Sequence, residues 1–315
     1  MPLIRRLLAT LIALLGVLTT VFIAVRAVPG DPVDVLLGER ASSDDRARLR
    51  HAMRLDGNFL DQGIAYATDL ADLSLGQSVA MTGHAVPVIT LMRAALPATI
   101  ALALMSMLVA LLIALPLGTF AALYQGRFVD HVGRAVALFA VSTPVFVSAP
   151  LAVWLLAVEA RWLPTPAHDA SAWQAALLPA AVVGFALAGR LARLLRATFI
   201  DVMQSPLPSA LFSRGLSRPR IVLLHLLPAA LLPVLSVIAG QFGAMLGGAL
   251  IAEKIFGRPG LGTLLLDAIA ARDAPVVQGA VLLIATTYVL VHLGVDICVG
   301  LVDPRTAARA DAVAQ

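Results

Sequence analysis

Long apolar runs separated by short polar segments dominate the pattern along the chain. A helix needs about 20 apolar residues to cross roughly 30 Å of hydrocarbon. Six runs reach that length, so the pattern predicts an all-α membrane protein with six transmembrane helices. The predicted spans are residues 7–28, 97–123, 135–158, 174–197, 226–252 and 277–302.

The first run has one alternative interpretation, which is a cleaved signal peptide, because Arg5 and Arg6 precede it. The apolar core of a signal peptide is about 7–15 residues long. The run here is longer, which favours an uncleaved first helix.

Arginine is concentrated on one of the two sides that six helices would create. Residues 190–220 hold six arginines against one acid, residues 124–134 hold two against one acid, and the tail 303–315 holds two arginines. Because short loops rich in Lys and Arg stay in the cytoplasm, both termini are predicted to be cytoplasmic. Three arginines, 190, 193 and 196, fall in the last turns of the fourth span, and we expect them to snorkel to the membrane interface.

These spans divide the chain into four parts. Residues 1–28 form the first helix, residues 29–96 a periplasmic segment (the outer segment), residues 97–302 a five-helix core with a cytoplasmic loop at 198–225, and residues 303–315 a cytoplasmic tail. The outer segment holds nine acids and six arginines, and Ser42 or Ser43 is a plausible helix cap within it. About 65 residues rarely supply an independent core, so we expect this segment to pack on the outer face of the helices.

Composition agrees with lipid as the main solvent. The chain is 60% hydrophobic and 13% charged, against about 45–50% and about 25% in soluble domains. Its 22 arginines and one lysine raise the pI to about 10, but arginine in short loops sets topology and predicts no nucleic-acid partner. The single cysteine, Cys298, excludes an intrachain disulfide and a multi-cysteine metal cluster.

Catalytic and cofactor signatures are missing from the sequence. There is no Walker A loop, no G-x-S-x-G elbow and no H-E-x-x-H pair. The six histidines are scattered along the chain. The sequence therefore predicts no enzyme activity, no cofactor and no metal site.

The last span carries the one ionisable pair of the apolar runs, His292 and Asp296, which lie on one helix face at i, i+4. A buried charge in a membrane must face protein or water. Two interpretations stay open, a proton or metal contact and a pair that locks helix packing. In the fifth span Gly243 and Gly247 have the small-xxx-small spacing of close helix contacts, which is compatible with static packing and with a moving interface.

The loop before the fifth span reads "SALFSRGLSRPRIVLLHLLP" (209–228) and is longer than a connection requires. It predicts two short helices that meet at Gly215, with Ser217 as the cap of the second helix and Pro219 in its first turn. Such a compact basic element suits anionic lipid, nucleic acid or a partner protein, and its charge alone does not separate them.

The second half of this loop resembles a family signature. Gly215 is followed by nine residues, His225, Leu226 and then Leu227-Pro228, which is similar to the cytoplasmic signature of permeases in binding-protein-dependent ABC importers. The whole chain resembles the oligopeptide/dipeptide/nickel group through further motifs in the same order. These motifs are "RAVPGDPV" (26–33), "LSLGQSV" (73–79), "LPATIALALMS" (96–106), "STPVFV" (142–147), "RWLPT" (161–165), "EKIFGRPGLGTLLLDAIAARDAPVVQG" (253–279) and "LGVDICVGLVDPR" (293–305).

The resemblance implies a permease subunit in the bacterial cytoplasmic (inner) membrane. Its implied partners are a second permease in a heterodimer, two ABC ATPase subunits and a periplasmic solute-binding protein, with peptides as substrates and nickel or a metal chelate as the alternative. The loop would act as the coupling element against an ATPase subunit. The implied coupling residues are Ser209, Ala210, Arg214, Gly215, Leu216, Ser217, Arg218, Arg220 and His225.

The start of the loop departs from the family pattern. Pro206 and Pro208 stand where the family has a helix, so we expect the first short helix to begin after Pro208, near Ser209.

Two rival functions also remain, an ion-coupled secondary transporter that uses His292 and Asp296, and an intramembrane enzyme, for which no nucleophile–base pair is present.

Overall fold

The computed structural model describes residues 2–27, 33, 42–52, 56–72, 74–162, 174–248 and 250–302, and helices dominate it. The helices are α1 (Pro2–Ala27), α2 (Ser43–Ala52), α3 (Phe59–Ala71), α4 (Val88–Leu123), α5 (Phe128–Ser142), α6 (Val145–Ala152), α7 (Gln174–Gln204), α8 (Leu207–Ser213), α9 (Arg218–Ile221), α10 (Leu227–Gly248), α11 (Leu250–Ile255), α12 (Leu261–Ala270) and α13 (Ala274–Val302). Wider π-helical segments, Val153–Glu159 and Val222–Leu226, continue α6 and α9. Two short antiparallel strands, β1 (Gln77–Ser78) and β2 (Val86–Pro87), form a hairpin.

The mostly helical membrane fold is confirmed, while the count of six spans and their orientation stay predictions. Four of the described helical stretches are long and apolar enough to cross a membrane: Val88–Leu123, Gln174–Gln204, Arg218–Gly243 and Ala274–Gly294. A fifth candidate is the pair of α5 and α6 together, and the apolar part of α1 is the shorter stretch Leu11–Ala27.

The predicted third span, 135–158, is not one straight helix. Its two halves, α5 and α6, are bent by 100° relative to each other. The cause is Pro144, because proline pushes the residue before it out of the helical region, and Thr143 accordingly has φ −88° and ψ 113°. One helix therefore ends at Ser142 and another begins at Val145.

The helices of the fourth and fifth predicted spans are longer than the sequence predicted. The fourth span continues past residue 197 to Gln204. The fifth begins earlier than residue 226, because α9 runs through its π-helical segment directly into α10.

The segment after α1 belongs to one compact unit, which comprises Met1–Thr99 and Gly257–Val289. Asp273 is buried there and accepts hydrogen bonds from the Ser78 hydroxyl at 2.7 Å and from the Met81 N–H at 3.1 Å. These bonds tie the β1–β2 hairpin to residues just before α13, so distant sequence stabilises the outer segment. Before α2, the Ser42 hydroxyl accepts a hydrogen bond from the Asp45 N–H at 3.1 Å. Ser42 is therefore the N-cap of α2.

The second compact unit comprises Ile100–Phe256 and Leu290–Gln315. Helix α7 is central in it and packs against α5, α6 and α10. At Gly184 an added Cβ would lie 2.6 Å from the Ser106 carbonyl oxygen. Only a glycine permits this approach of two helix backbones, as expected for close packing in membranes.

Candidate functional site

Between α7 and α10 lies the basic knob, by which we mean residues 207–226. Its first helix, α8, begins at Leu207. The sequence had predicted a start after Pro208, so that prediction is wrong. Pro206 occupies the cap position and Pro208 the first turn, where a helix needs no N–H donor from the residue. Both prolines are therefore compatible with the helix.

Gly215 makes the turn that the sequence predicted between the two short helices. Its φ is +77°, in the left-handed region that glycine adopts without a steric penalty. The Gly215 N–H donates to the Phe212 carbonyl at 2.9 Å, and the Leu216 N–H donates to the Leu211 carbonyl at 3.4 Å. These bonds satisfy the last carbonyls of α8 and hold the turn in one shape.

The second half of the knob starts at Ser217, which occupies the cap position of α9 without a capping hydrogen bond from its side chain. Pro219 lies in the first turn, as predicted. The helix then widens into the π-helical segment that contains His225. Because Pro228 has no N–H for the Leu224 carbonyl, the regular i to i−4 ladder is interrupted at this point.

Burial separates the structural residues of the knob from those that face outward. Leu211, Ile221 and Leu226 are buried and anchor it to the apolar core. Among the predicted coupling residues, Leu216 and His225 are half-buried. The other seven are exposed: Ser209, Ala210, Arg214, Gly215, Ser217, Arg218 and Arg220.

One exposed residue of the knob was missed by sequence reasoning. Phe212 is 47% exposed although it is a large aromatic side chain. An apolar residue inside a basic polar loop was the available signal, since exposed aromatics in a polar rim often mark protein contacts.

The knob is positively charged, with three arginines and no acid in residues 207–226. The guanidinium groups of Arg214, Arg218 and Arg220 form no ion pair with any residue that the structure describes. Their charge is therefore available to an external partner.

The arginines of α7 do not share one role, and their snorkelling to the membrane interface stays a prediction. Arg196 donates to both carboxylate oxygens of Asp130, from Nε at 2.7 Å and from Nη2 at 2.8 Å. Asp130 is 1% exposed and also accepts from the Gly126 N–H at 2.9 Å. This bidentate pair joins the start of α5 to α7. Arg190 instead donates from Nη1 to Oε1 of Gln241 at 2.9 Å.

The second candidate set, His292, Asp296, Gly243 and Gly247, is only partly described. The His292 ring packs on α10, with its Cε1 atom 3.5 Å from the position of a Cβ on Gly240. Gly243 is buried. The side chain of Asp296 and the surroundings of Gly247 lie outside the described residues, so the ion pair and the close contact stay predictions.

Comparison with known proteins gives a consistent result. Residues 114–308 match the family described as "Binding-protein-dependent transport system inner membrane component". The glutathione transport system permease protein GsiC of Salmonella choleraesuis (strain SC-B67) is 34% identical over 96% of this chain and 97% of the relative. The protein of that name from Escherichia coli (strain K12) is 32% identical over the same shares.

A solved structure also matches the fold. It is described as "Crystal structure of an amino acid ABC transporter with histidines" and superposes with a TM-score of 0.50 at 16% sequence identity. The superposition covers 69% of this chain and 94% of the other.

Proposed function

The chain belongs to the inner membrane components of binding-protein-dependent transport systems, and on this basis we propose that it forms half of the translocation path of an ATP-driven peptide importer. It is a permease subunit of the oligopeptide/dipeptide type and not an enzyme, so ATP is hydrolysed by partner subunits. The proposed complex contains a second permease, two ATPase subunits and a periplasmic solute-binding protein.

The observation that carries this proposal is the basic knob. It is exposed, its turn is held by backbone hydrogen bonds, and it joins the ends of α7 and α10. A short rigid element of this kind passes a displacement to both helices. Movement of a docked ATPase subunit would therefore rock α7 and α10 together, which opens the path alternately to the two sides of the membrane.

Peptides are the substrate class that the comparisons favour. The relatives are named for the transport of glutathione, which is a tripeptide, and a small peptide is the natural extension to this chain. No described observation favours nickel or a metal chelate, since the described residues include no group of three or more His, Cys, Asp or Glu side chains placed to hold a metal. The secondary-transport alternative depends on Asp296, whose side chain is not described.

The test is reconstitution of the chain in liposomes with its partner subunits and binding protein. Uptake of radiolabelled trialanine and glutathione should require ATP and the binding protein, and unlabelled tripeptides should compete. Uptake driven by an ion gradient without ATP would contradict the importer. Competition by Ni²⁺ but not by peptides would contradict the substrate class.

A further inference from the structure

An open cavity lies at the break between α5 and α6, inside the second compact unit. Its volume is ≈ 420 Å³, within the range of about 300–1,000 Å³ that is typical of small-molecule sites. Thr143, Pro144 and Val145 line it at the break, and apolar side chains line most of the rest. Its long polar side chains are Arg190 and Gln241, which are hydrogen-bonded to each other.

The charge of Arg190 is not neutralised by its partner. Gln241 offers an amide oxygen to Nη1, and an amide carries no charge. Six residues along the same helix, Arg196 is paired with the carboxylate of Asp130. In the described part of the chain no carboxylate pairs with Arg190. A guanidinium has five N–H donors, so most of those of Arg190 are available to a ligand.

The position of Arg190 in α7 indicates what its charge faces. Arg190 lies near the middle of α7, about 9 Å along the helix axis from Arg196 at 1.5 Å per residue. A charged side chain at membrane depth must face protein or water, and the Arg190 side chain is exposed in the single chain. The broken backbone between α5 and α6 has the same requirement. The charge and the break thus independently indicate that the cavity faces a polar path.

We propose that this cavity binds a carboxylate group of the transported substrate, with Arg190 as the anchoring cation. The inference rests on the proposed importer function and narrows its substrate to molecules with a free carboxylate. A guanidinium binds a carboxylate through two parallel N–H···O bonds. The Gln241 amide nitrogen supplies a further donor, and the N-terminal end of α6 adds positive potential at the same place.

An acidic side chain of the second permease would present the same chemistry to Arg190. The substrate is the better match because the cavity is larger than a carboxylate and most of its remaining wall is apolar. Such a wall suits the body of a small peptide, whereas an ion pair between subunits requires only contact.

The experiment uses the complete importer in liposomes, with radiolabelled trialanine and its C-terminal amide as probes. For each probe, transport is compared between the wild type and Arg190→Gln at saturating binding protein. Because the binding protein is the same in both complexes, its own preference cancels in the ratio of ratios. We expect Arg190→Gln to lower the acid-to-amide transport ratio about tenfold, which is about 1.4 kcal/mol, while transport of the amide changes little.

Two arginines of the same helix serve as controls. Arg193→Gln removes an exposed charge outside the cavity lining and should leave the ratio unchanged. Arg196→Gln breaks the pair with Asp130 and should lower the amount of folded complex, with acid and amide transport affected equally. Arg190→Lys should restore part of the ratio, because an ammonium keeps the charge but not the bidentate geometry.

The outcomes separate the inference from the proposed function. An unchanged ratio in an Arg190→Gln complex that still transports both probes would overturn the carboxylate site and leave the importer intact. Loss of the second permease from Arg190→Gln complexes on purification would assign the carboxylate to that subunit and also overturn it. If the wild-type complex shows no ATP-dependent uptake at all, the proposed function fails first.

Discussion

At Gly215 the backbone conformation, and not the available space, restricts substitution. A Cβ built there has no atom within 4 Å, yet φ is +77°. A left-handed conformation destabilises an ordinary L-residue by about 1–2 kcal/mol, least for asparagine among the non-glycine residues. At Asp130 the side chain and not the backbone restricts substitution, because the carboxylate is buried and accepts three hydrogen bonds. The backbone of Gly215 sets the turn between α8 and α9, and the carboxylate of Asp130 joins α5 to α7.

Gly215→Val should therefore uncouple the knob while the apolar spans still insert, since insertion depends on hydrophobicity. A β-branched residue fits poorly at positive φ, and the turn between α8 and α9 should shift. We expect stimulation of ATP hydrolysis by the loaded binding protein to fall at least several-fold, measured in liposomes. Gly215→Asn is the matched control and should keep most of the stimulation. Equal, full stimulation in both variants would contradict the coupling assignment.

Asp130→Asn should destabilise the permease by about 3 kcal/mol, because it leaves the mostly buried guanidinium of Arg196 without its counter-charge. Thermal unfolding of the purified protein in detergent gives the measurement. Asp201→Asn, an exposed acid near the end of the same α7, is the control and should stay within about 0.5 kcal/mol of the wild type. Similar melting temperatures for the two variants would show that the Asp130–Arg196 pair contributes little.

The basic knob is an element whose parts act jointly. Its arginines are exposed, and single exposed ion pairs contribute about 0–1 kcal/mol each. Its buried anchors, Leu211, Ile221 and Leu226, fix the shape of the knob. Phe212 adds an apolar contact at the exposed surface. Affinity for an ATPase subunit should therefore come from the sum of several weak charges around an aromatic centre.

Replacing Arg214, Arg218 and Arg220 together by alanine should weaken assembly with the ATPase subunit, and each single alanine should be tolerated. Co-purification at rising salt concentration is the measurement, because screening reduces exposed charge interactions. The triple variant should lose the salt dependence that the wild type shows. Retention of an unchanged salt profile would place the contact elsewhere on the chain.

Much of the element pattern follows from the sequence, and the exceptions have specific causes. Apolar length sufficed to locate the four long apolar stretches, and Gly215 with Pro219 sufficed to locate the turn of the knob. The bend at Thr143–Pro144 was missed, because a proline inside a long apolar run is compatible with a kink, an end or a tolerated defect. The role of Arg196 was missed because its partner, Asp130, is distant in sequence, and no local pattern records that contact.

At the scale of the whole molecule, the distribution of arginine predicts the topology. Arginine in the segments 124–134 and 190–220 predicts that those loops, and with them the basic knob, lie in the cytoplasm. Four described helical stretches are long and apolar enough for four of the six predicted crossings, and the bent pair and α1 would supply the other two. The orientation decides whether the knob reaches an ATPase subunit at all.

Reporter fusions test this arrangement directly. Fusions after residues 60 and 265 should be active in the periplasm, and fusions after residues 128, 215 and 312 should be active in the cytoplasm. The paired use of alkaline phosphatase and a fluorescent protein provides the internal control at each position. A cytoplasmic result at residue 60 would reverse the predicted orientation.

The 100° bend between α5 and α6 also has a consequence for biosynthesis. The insertion machinery selects a nascent segment by its hydrophobicity, and Phe128–Glu159 is apolar enough to be selected as a single stretch. The bend exposes backbone groups that hydrocarbon cannot satisfy, so its final form depends on neighbours such as α7 and α10. Both of these helices leave the ribosome later than α5 and α6. The bend should therefore mature only after α10 has been made, well after the segment itself has been inserted.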